Sequence, residues 1–303
     1  MLKTLLLTAI AALISTTTYA VELPTTPTTV TSSVSFSIIK TAKLPVAEGL
    51  VYSGGRLTKK VDSNFSAFLV QHGESTFLFD AGLGNKVAEQ YRQDMPLWQQ
   101  LFFKYDDPVS SARNQLDSAG IAPVKTIILS HSHWDHASGI SDFPDATVFA
   151  PEPEMAIIRH PTTGVGGSWP SQVADRTIKW QTLAFKPIAY ENFESSADLY
   201  GDGSIVLVPL FGHTTGSIGM FVTVDSGKRY FFIGDAVWNA NALKKGSPKF
   251  WAARQLVDGD IAQTQHTIEQ IRTLMAKKPE IIVVPAHDGT VQQALGYFPA
   301  WVK

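Results

Sequence analysis

Apolar positions in this chain fall mostly into short runs separated by turn residues, the pattern of strands rather than of long helices. Val34 to Ile39 alternates apolar and small polar side chains, as a strand with one buried face does. Phe65 to Val70 and Thr76 to Phe79 flank His72-Gly73-Glu74-Ser75 and predict a hairpin. His72, at the turn, is expected to face solvent. Thr126-Ile127-Ile128-Leu129 and Thr147-Val148-Phe149-Ala150 predict two further strands. The second half repeats this plan. Ser204 to Leu210 reads as a strand, Gly219 to Val224 and Arg229 to Ile233 as a hairpin, and Glu280 to Ala286 as a buried strand. Two strand-rich layers, each followed by helices, pair face to face as an α/β fold. The expected architecture is an αββα sandwich of two mixed β-sheets flanked by helices.

Helical stretches are fewer. Residues 86–104 are helical in part, are interrupted by Pro96, and carry Tyr91, Trp98, Phe102 and Phe103. Such a segment either packs on the core or forms an apolar wall or lid over a site. Asp107-Pro108 predicts a helix start, and Gly120 ends that helix after Ala119. Pro153 to Arg159 predicts a short helix. Asp260 caps a longer one with apolar positions at Ile268, Ile271 and Leu274. Residues 160–176 hold Pro161, Gly164, Gly166, Gly167 and Pro170, and read as an irregular surface loop, a second candidate lid. His160 in that loop and His266 on the helix surface are not ligand candidates.

Composition narrows the chemistry. Lys3, the apolar run Leu5 to Ile14 and Thr18-Tyr19-Ala20 form a secretory signal peptide over residues 1–20. Cleavage is expected after Ala20, leaving a periplasmic or secreted product with no stable membrane anchor. Residues 21–33 are a Thr/Ser/Pro-rich leader, and 34–303 form the folded domain. Across the chain 25 Lys and Arg face 27 Asp and Glu, and no basic run stands out, so nucleic acid is excluded as a partner. With no Cys there are no disulfides, thiolate ligands or thiol nucleophiles. Whatever chemistry occurs rests on His, Asp and metal.

That chemistry concentrates in Ser130-His131-Ser132-His133-Trp134-Asp135-His136, directly after a buried strand. His131 and His133 are two apart and point to the same side of an extended chain. Asp135 and His136 follow where the chain turns. Neutral imidazole and carboxylate are zinc-type donors. Three more candidates stand where strands end: His213, Asp235 and His287. Asp80 closes the first hairpin. It is either an acceptor that orients a ligand loop or a turn residue bonded to its own backbone.

The string His131-x-His133-x-Asp135-His136, with Gly139 behind it, resembles the signature of the metallo-β-lactamase superfamily. The resemblance implies that His131, His133 and His213 hold one metal and Asp135, His136 and His287 a second, with Asp235 bridging both. The implied cofactor is two divalent ions, zinc being favoured while manganese, cobalt and iron suit the same donors. It further implies a hydrolase in which a metal-bound hydroxide attacks, with Asp135 and Asp235 as the catalytic carboxylates. Asp235 together with His287 resembles the binuclear N-acyl homoserine lactonases and the methyl parathion hydrolase-like enzymes. The favoured substrate is therefore a small molecule with a lactone or ester C–O bond. Arylesters and organophosphate triesters are the alternative, followed by β-lactams and thioesters. From a different class, a non-catalytic metal-binding protein carries the same residues. There are two departures from the family pattern. Trp238 stands where many lactonases carry a Tyr that donates to the substrate carbonyl, and Thr215 stands where Pro is common. Trp238, Trp134 and Phe102 are the candidate substrate contacts, and Trp98, Phe103 and Trp169 join them in an expected aromatic pocket. A homodimer is among the assemblies left open.

Overall fold

The structure, a computed structural model, describes residues 32–303. The expected signal peptide and residues 21–31 of the leader lie outside the described residues.

Alternating apolar positions close into two sheets. The first runs β1 (Val34–Ala47), β2 (Lys60–His72), β3 (Ser75–Ala81), β4 (Thr126–Ile128), β5 (Thr147–Pro151) and β6 (Lys179–Leu183), in that spatial order. Its first three strands pair antiparallel and β3 to β6 pair parallel. The second sheet holds β7 (Ala197–Asp198), β8 (Ile205–Pro209), β9 (Ile218–Thr223), β10 (Arg229–Phe232) and β11 (Ile282–Val284), ordered β11-β10-β9-β8-β7. Only β10 and β11 pair parallel there. Both sheets are mixed, as expected.

Ten α-helices accompany the strands among the described residues. They are α1 (Glu48–Val51), α2 (Val87–Asp94), α3 (Ala112–Ser118), α4 (Trp134–Ala137), α5 (Glu152–Arg159), α6 (Pro170–Val173), α7 (Ala240–Lys245), α8 (Trp251–Val257), α9 (Ile261–Lys277) and α10 (Gly289–Leu295). None among the described residues is long and apolar enough to cross a membrane.

The period-two pattern explains the layers. Phe36, Ile38, Phe68, Val70, Phe77 and Phe79 point between the sheets and meet Leu207, Met220, Val222 and Phe232. The alternate residues of the first sheet, Ile39, Leu69 and Leu78, face Leu116 of α3 and Met155 and Ile158 of α5. Those of the second, Val206, Phe221 and Phe231, face Ile268, Ile271 and Leu274 of α9. Helix, sheet, sheet, helix is thus the only order that buries every apolar face.

Three local expectations are corrected. The cap of α3 is Ser111, whose side chain accepts from the Asn114 amide, and Asp107-Pro108 lies outside the helix. A hydroxyl three residues before a free N–H outcompetes the more distant carboxylate. His72 does not face solvent. It is buried under the loop after β7, stacked on Tyr200 and 2.7 Å from Asp202 Oδ2. Residues 160–176 lie at the surface mainly at their two ends, and most of the middle of the segment is buried. Ser168 and Trp169 are fully buried, the Trp169 indole donates to Gly164 O, and the Gly164 amide donates to Asp94 O. Backbone satisfied in this way can be buried without an unpaired polar group.

The short helix α1 matters because Leu50 and Val51 border the main cavity. Its first residue, Glu48, is buried, accepts from Lys59 Nζ at 2.8 Å and from the Arg56 amide at 3.1 Å, and so closes the loop that follows. The Lys59 and Arg56 hydrogen bonds outweigh burial and hold its carboxyl at about 2, below the ordinary 4.5. A carboxyl depressed by folding stabilises above its unfolded value and stops doing so as pH falls through its folded value. Glu48→Gln should therefore melt below the wild type at pH 7, and the two Tm values should converge as pH is lowered from 4.5 to about 2. Thermal melts across that range check this, and a gap that stays constant to the acid limit would contradict it.

Candidate metal centre

The site forms where strands of both sheets stop. After β4, His131 and His133 remain extended, and α4 then begins at Trp134, which puts Asp135 and His136 in its first turn. From the second sheet, the loop after β8 brings His213, the turn after β10 brings Asp235, and the turn after β11 brings His287. Close approach of these loops demands glycine. A Cβ on Gly139 would lie 2.4 Å from Ala81 O, and one on Gly212, at φ +128°, would lie 2.2 Å from the Thr264 amide.

All seven candidate residues are buried and converge. Donor atoms of three sets lie within 4.8 Å of one another: His131, His133 and His213; His131, His136 and Asp235; and Asp135, His136 and His287. Asp235 sits between the outer two sets, with Oδ2 3.5 Å from His213 Nε2 and Oδ1 3.4 Å from His136 Nε2.

The orientation of the rings shows what the set fits. His136 Nδ1 lies 2.8 Å from Asp80 Oδ2, His213 Nδ1 2.7 Å from Asp258 Oδ1, and His287 Nδ1 2.6 Å from the Asn64 carbonyl. Each of these acceptors takes the Nδ1 proton. His131 Nδ1 lies 3.0 Å from Ser130 Oγ, whose own proton goes to Asp80 at 2.8 Å. Four rings therefore point Nε2 inward, the atom that can hold a cation once it carries no proton. His131 Nε2 and His213 Nε2 stand 3.2 Å apart. Two facing lone pairs at that distance repel unless a proton or a cation lies between them. His136 Nε2 and Asp235 Oδ1 have no hydrogen-bond partner among the described residues. Inward lone pairs, carboxylates and orphaned atoms together fit divalent cations.

Electrostatics agrees. Burial, then the neighbouring imidazoles, drives His131 well below the ordinary histidine range. Burial likewise holds His133 at about 3, and burial with the Lys249 ammonium lowers His213. These three rings are neutral donors. Burial would also lower His136 and His287, but Asp80 and Asp135 raise the first, while Asp235 and Asp135 raise the second to about 10. Burial would raise Asp235, yet His287 and His136 hold it far down, and Asp135 shifts the same way. Imidazole protons and divalent cations are alternative sources of the positive charge that these buried carboxylates call for.

Sequence reasoning weighed two roles for Asp80; the carboxylate accepts from the Ser130 amide at 2.7 Å as well as from Ser130 Oγ and His136. It missed Glu154 and the pair Lys249–Asp258 altogether. Glu154 is fully buried on α5, where Oε1 accepts from the Ser132 amide and hydroxyl and Oε2 from Thr214 Oγ1. It therefore ties the His131–His133 strand to the His213 loop. Glu-Pro-Glu on an amphipathic helix carries no signal of burial in the sequence.

A cavity of about 450 Å³ opens above the cluster. Of the candidate contacts, Trp134, Trp238 and Phe102 all line it, as do Trp98 and Phe103. Residues 98–104 thus supply its apolar wall, with Phe102 at the mouth, 71% exposed. Trp169 does not reach the cavity; it stacks behind Trp134 with ring centroids 5.2 Å apart. Trp238 is already engaged, its indole N–H donating to Asp235 Oδ2 at 2.8 Å.

Comparison with known proteins places this geometry. The family described as the Metallo-beta-lactamase superfamily matches residues 64–287. The N-acyl homoserine lactonase AttM of Rhizobium radiobacter is 26% identical over 225 residues, covering 73% of this chain and 80% of its own. A Bacillus thuringiensis AiiA mutant, solved with N-decanoyl-L-homoserine at its active site, superposes with a TM-score of 0.66 at 16% identity, over 89% of this chain and 100% of its own. AidC, a dizinc quorum-quenching lactonase, superposes with a TM-score of 0.55 at 14% identity, over 85% of this chain and 91% of its own. The structural likenesses establish the αββα fold.

Removing the Asp80 carboxylate should test the orienting hydrogen bonds. Asp80→Ala frees both Ser130 and His136, and zinc affinity should fall by about 10–100-fold. Equilibrium dialysis of folded variant and wild type measures it; equal affinity would show that Asp80 serves only the turn.

Proposed function

The chain belongs to the metallo-β-lactamase superfamily, and we propose that it is an exported binuclear hydrolase that opens lactones or cleaves apolar esters, with a quorum-quenching type of lactone favoured. One observation carries the reading: two donor sets meet at Asp235 on the floor of an apolar cavity. The lactonase relatives support the substrate class, and the cavity suits a compact ester group joined to an apolar chain.

In this reading His131, His133 and His213 would hold one ion and Asp135, His136 and His287 the other, with Asp235 available to both. Zinc suits these donors. Two bound cations would polarise the substrate carbonyl and make a nucleophile from water at neutral pH. The chain's own residues do the rest. Asp80, Ser130, Asp258 and the Asn64 carbonyl keep the imidazole lone pairs aimed inward. Trp134, Phe65 and Phe102 shield the floor from bulk water and receive the apolar part of the substrate. Trp238 spends its N–H on Asp235, so it orients the bridging carboxylate and is not free to donate to the substrate carbonyl.

The mature protein, expected to start near Val21, should bind two zinc ions, lose activity to a chelator and regain it with zinc. Asp235→Ala should lose activity on every substrate. Trp238→Phe keeps the ring and removes the donor; kcat/KM should fall by about 10–100-fold, and equally, on a lactone and an aryl ester. A loss confined to one substrate would mean that the indole contacts substrate. Full activity of Asp235→Ala, or of the chelated enzyme, would remove the basis of the assignment.

A further inference from the structure

The helix α8 is held at both ends by one buried ion pair. Lys249 stands two residues before it and Asp258 directly after it. Lys249 Nζ lies 2.7 Å from Asp258 Oδ1, with side chains 1% and 2% exposed. The same Asp258 oxygen accepts from His213 Nδ1 at 2.7 Å. Lys249 Nζ also lies 3.3 Å from His213 Nδ1 and donates to the carbonyl of Ala236, next to Asp235, at 3.5 Å. Backbone bonds follow the same path, from the Gly259 amide to His213 O and from the Asp260 amide to Gly212 O, each 2.9 Å. Between the two charges, Phe250, Ala253, Leu256 and Val257 line the cavity.

A buried ammonium–carboxylate pair is a poor device for stability alone, because desolvation offsets much of the attraction. Asp258 by itself suffices to orient His213. What Lys249 adds is a connection: the near end of the cavity wall, the far end and a ring of the three-histidine set all meet at one carboxylate oxygen.

We propose that Lys249 and Asp258 form a latch that fixes α8, a wall of the substrate cavity, to His213, so that filling the three-histidine set and seating the wall are one coupled event. Lys249 is then a positioning residue, acting through Asp258. The proposal rests on the ligand assignment above. It couples the order of the cavity wall to the order of the metal centre, since both ends of α8 and a ring of the three-histidine set meet at Asp258.

Hydrogen exchange of the full mature chain, with and without zinc, tests this. In the wild type, zinc should slow exchange at residues 131–136 and also, by about tenfold, within α8. Lys249→Met with Asp258→Asn removes both charges, leaves none unpaired and keeps an acceptor for His213. In that variant zinc should still protect 131–136, while protection of α8 falls below about twofold. Lys249→Met alone serves should the double variant not fold. Zinc protection of 131–136 in the wild type without protection of α8 overturns the latch and leaves the metal reading standing. Undiminished protection of α8 in the variant also overturns it. Protection of neither segment in the wild type overturns the latch and the metal reading together.

Discussion

Burying an imidazole with its lone pair facing other lone pairs is unfavourable unless its second nitrogen is held and something positive completes the set. Four rings here meet the first condition through fixed acceptors: a carboxylate for His136 and another for His213, a backbone carbonyl for His287, and a hydroxyl for His131. The second condition calls for positive charge among the rings, the same demand by which Asp80, Asp135 and Asp235 raise His136 and His287. Much of the local architecture reads as a means of holding those acceptors still. Asp80 adopts φ +60° at the end of β3, a conformation that costs a non-glycine residue and that delivers its carboxylate to Ser130 and His136 together.

Neither half of the chain owns a complete donor set of the centre. The first contributes His131, His133, Asp135 and His136; the second contributes His213, Asp235 and His287. The sandwich is therefore a requirement of the site as well as of the core, and the halves are cross-linked close to it. The Ile218 amide donates to Ser130 O, the Asn64 amide to His287 O, and Glu154 binds Ser132 on one side and Thr214 on the other. Such bonds gain strength in a buried setting and are costly to leave half-made, which favours a single rigid arrangement. Apolar walls then rise from α1, the segment 98–104 and α8, elements that connect strands and are free to vary in shape.

The layers and the convergence of the donor residues were legible in the sequence for a simple reason. The alternating run Val34 to Ile39, the apolar run Phe65 to Val70, and a strand ending in His131-x-His133 are local signals. Asp260 capping α9 is another, read correctly from an acidic residue before an amphipathic run. What escaped was set by tertiary contact. Val165 and Trp169 look like loop residues because Gly and Pro surround them, and nothing local says that Gln99 will take the Val165 amide and Asp94 the amides of Gly164 and Ser171. His72 sits at a hairpin turn and is buried by a segment more than a hundred residues away. Lys249 and Glu154 are charged, and a charge is expected outside until its partner is known. The helices α7, α8 and α10 are short and depend on packing more than on pattern, so periodicity had little to find.

The central claim is that two ions share Asp235. Anomalous diffraction at the zinc edge, from crystals of the mature protein grown with zinc, addresses it directly. Two peaks are expected about 3.5–4 Å apart, one among His131, His133 and His213 and the other among Asp135, His136 and His287, with an oxygen of Asp235 on each. A single peak, or two peaks that Asp235 does not join, would contradict the account.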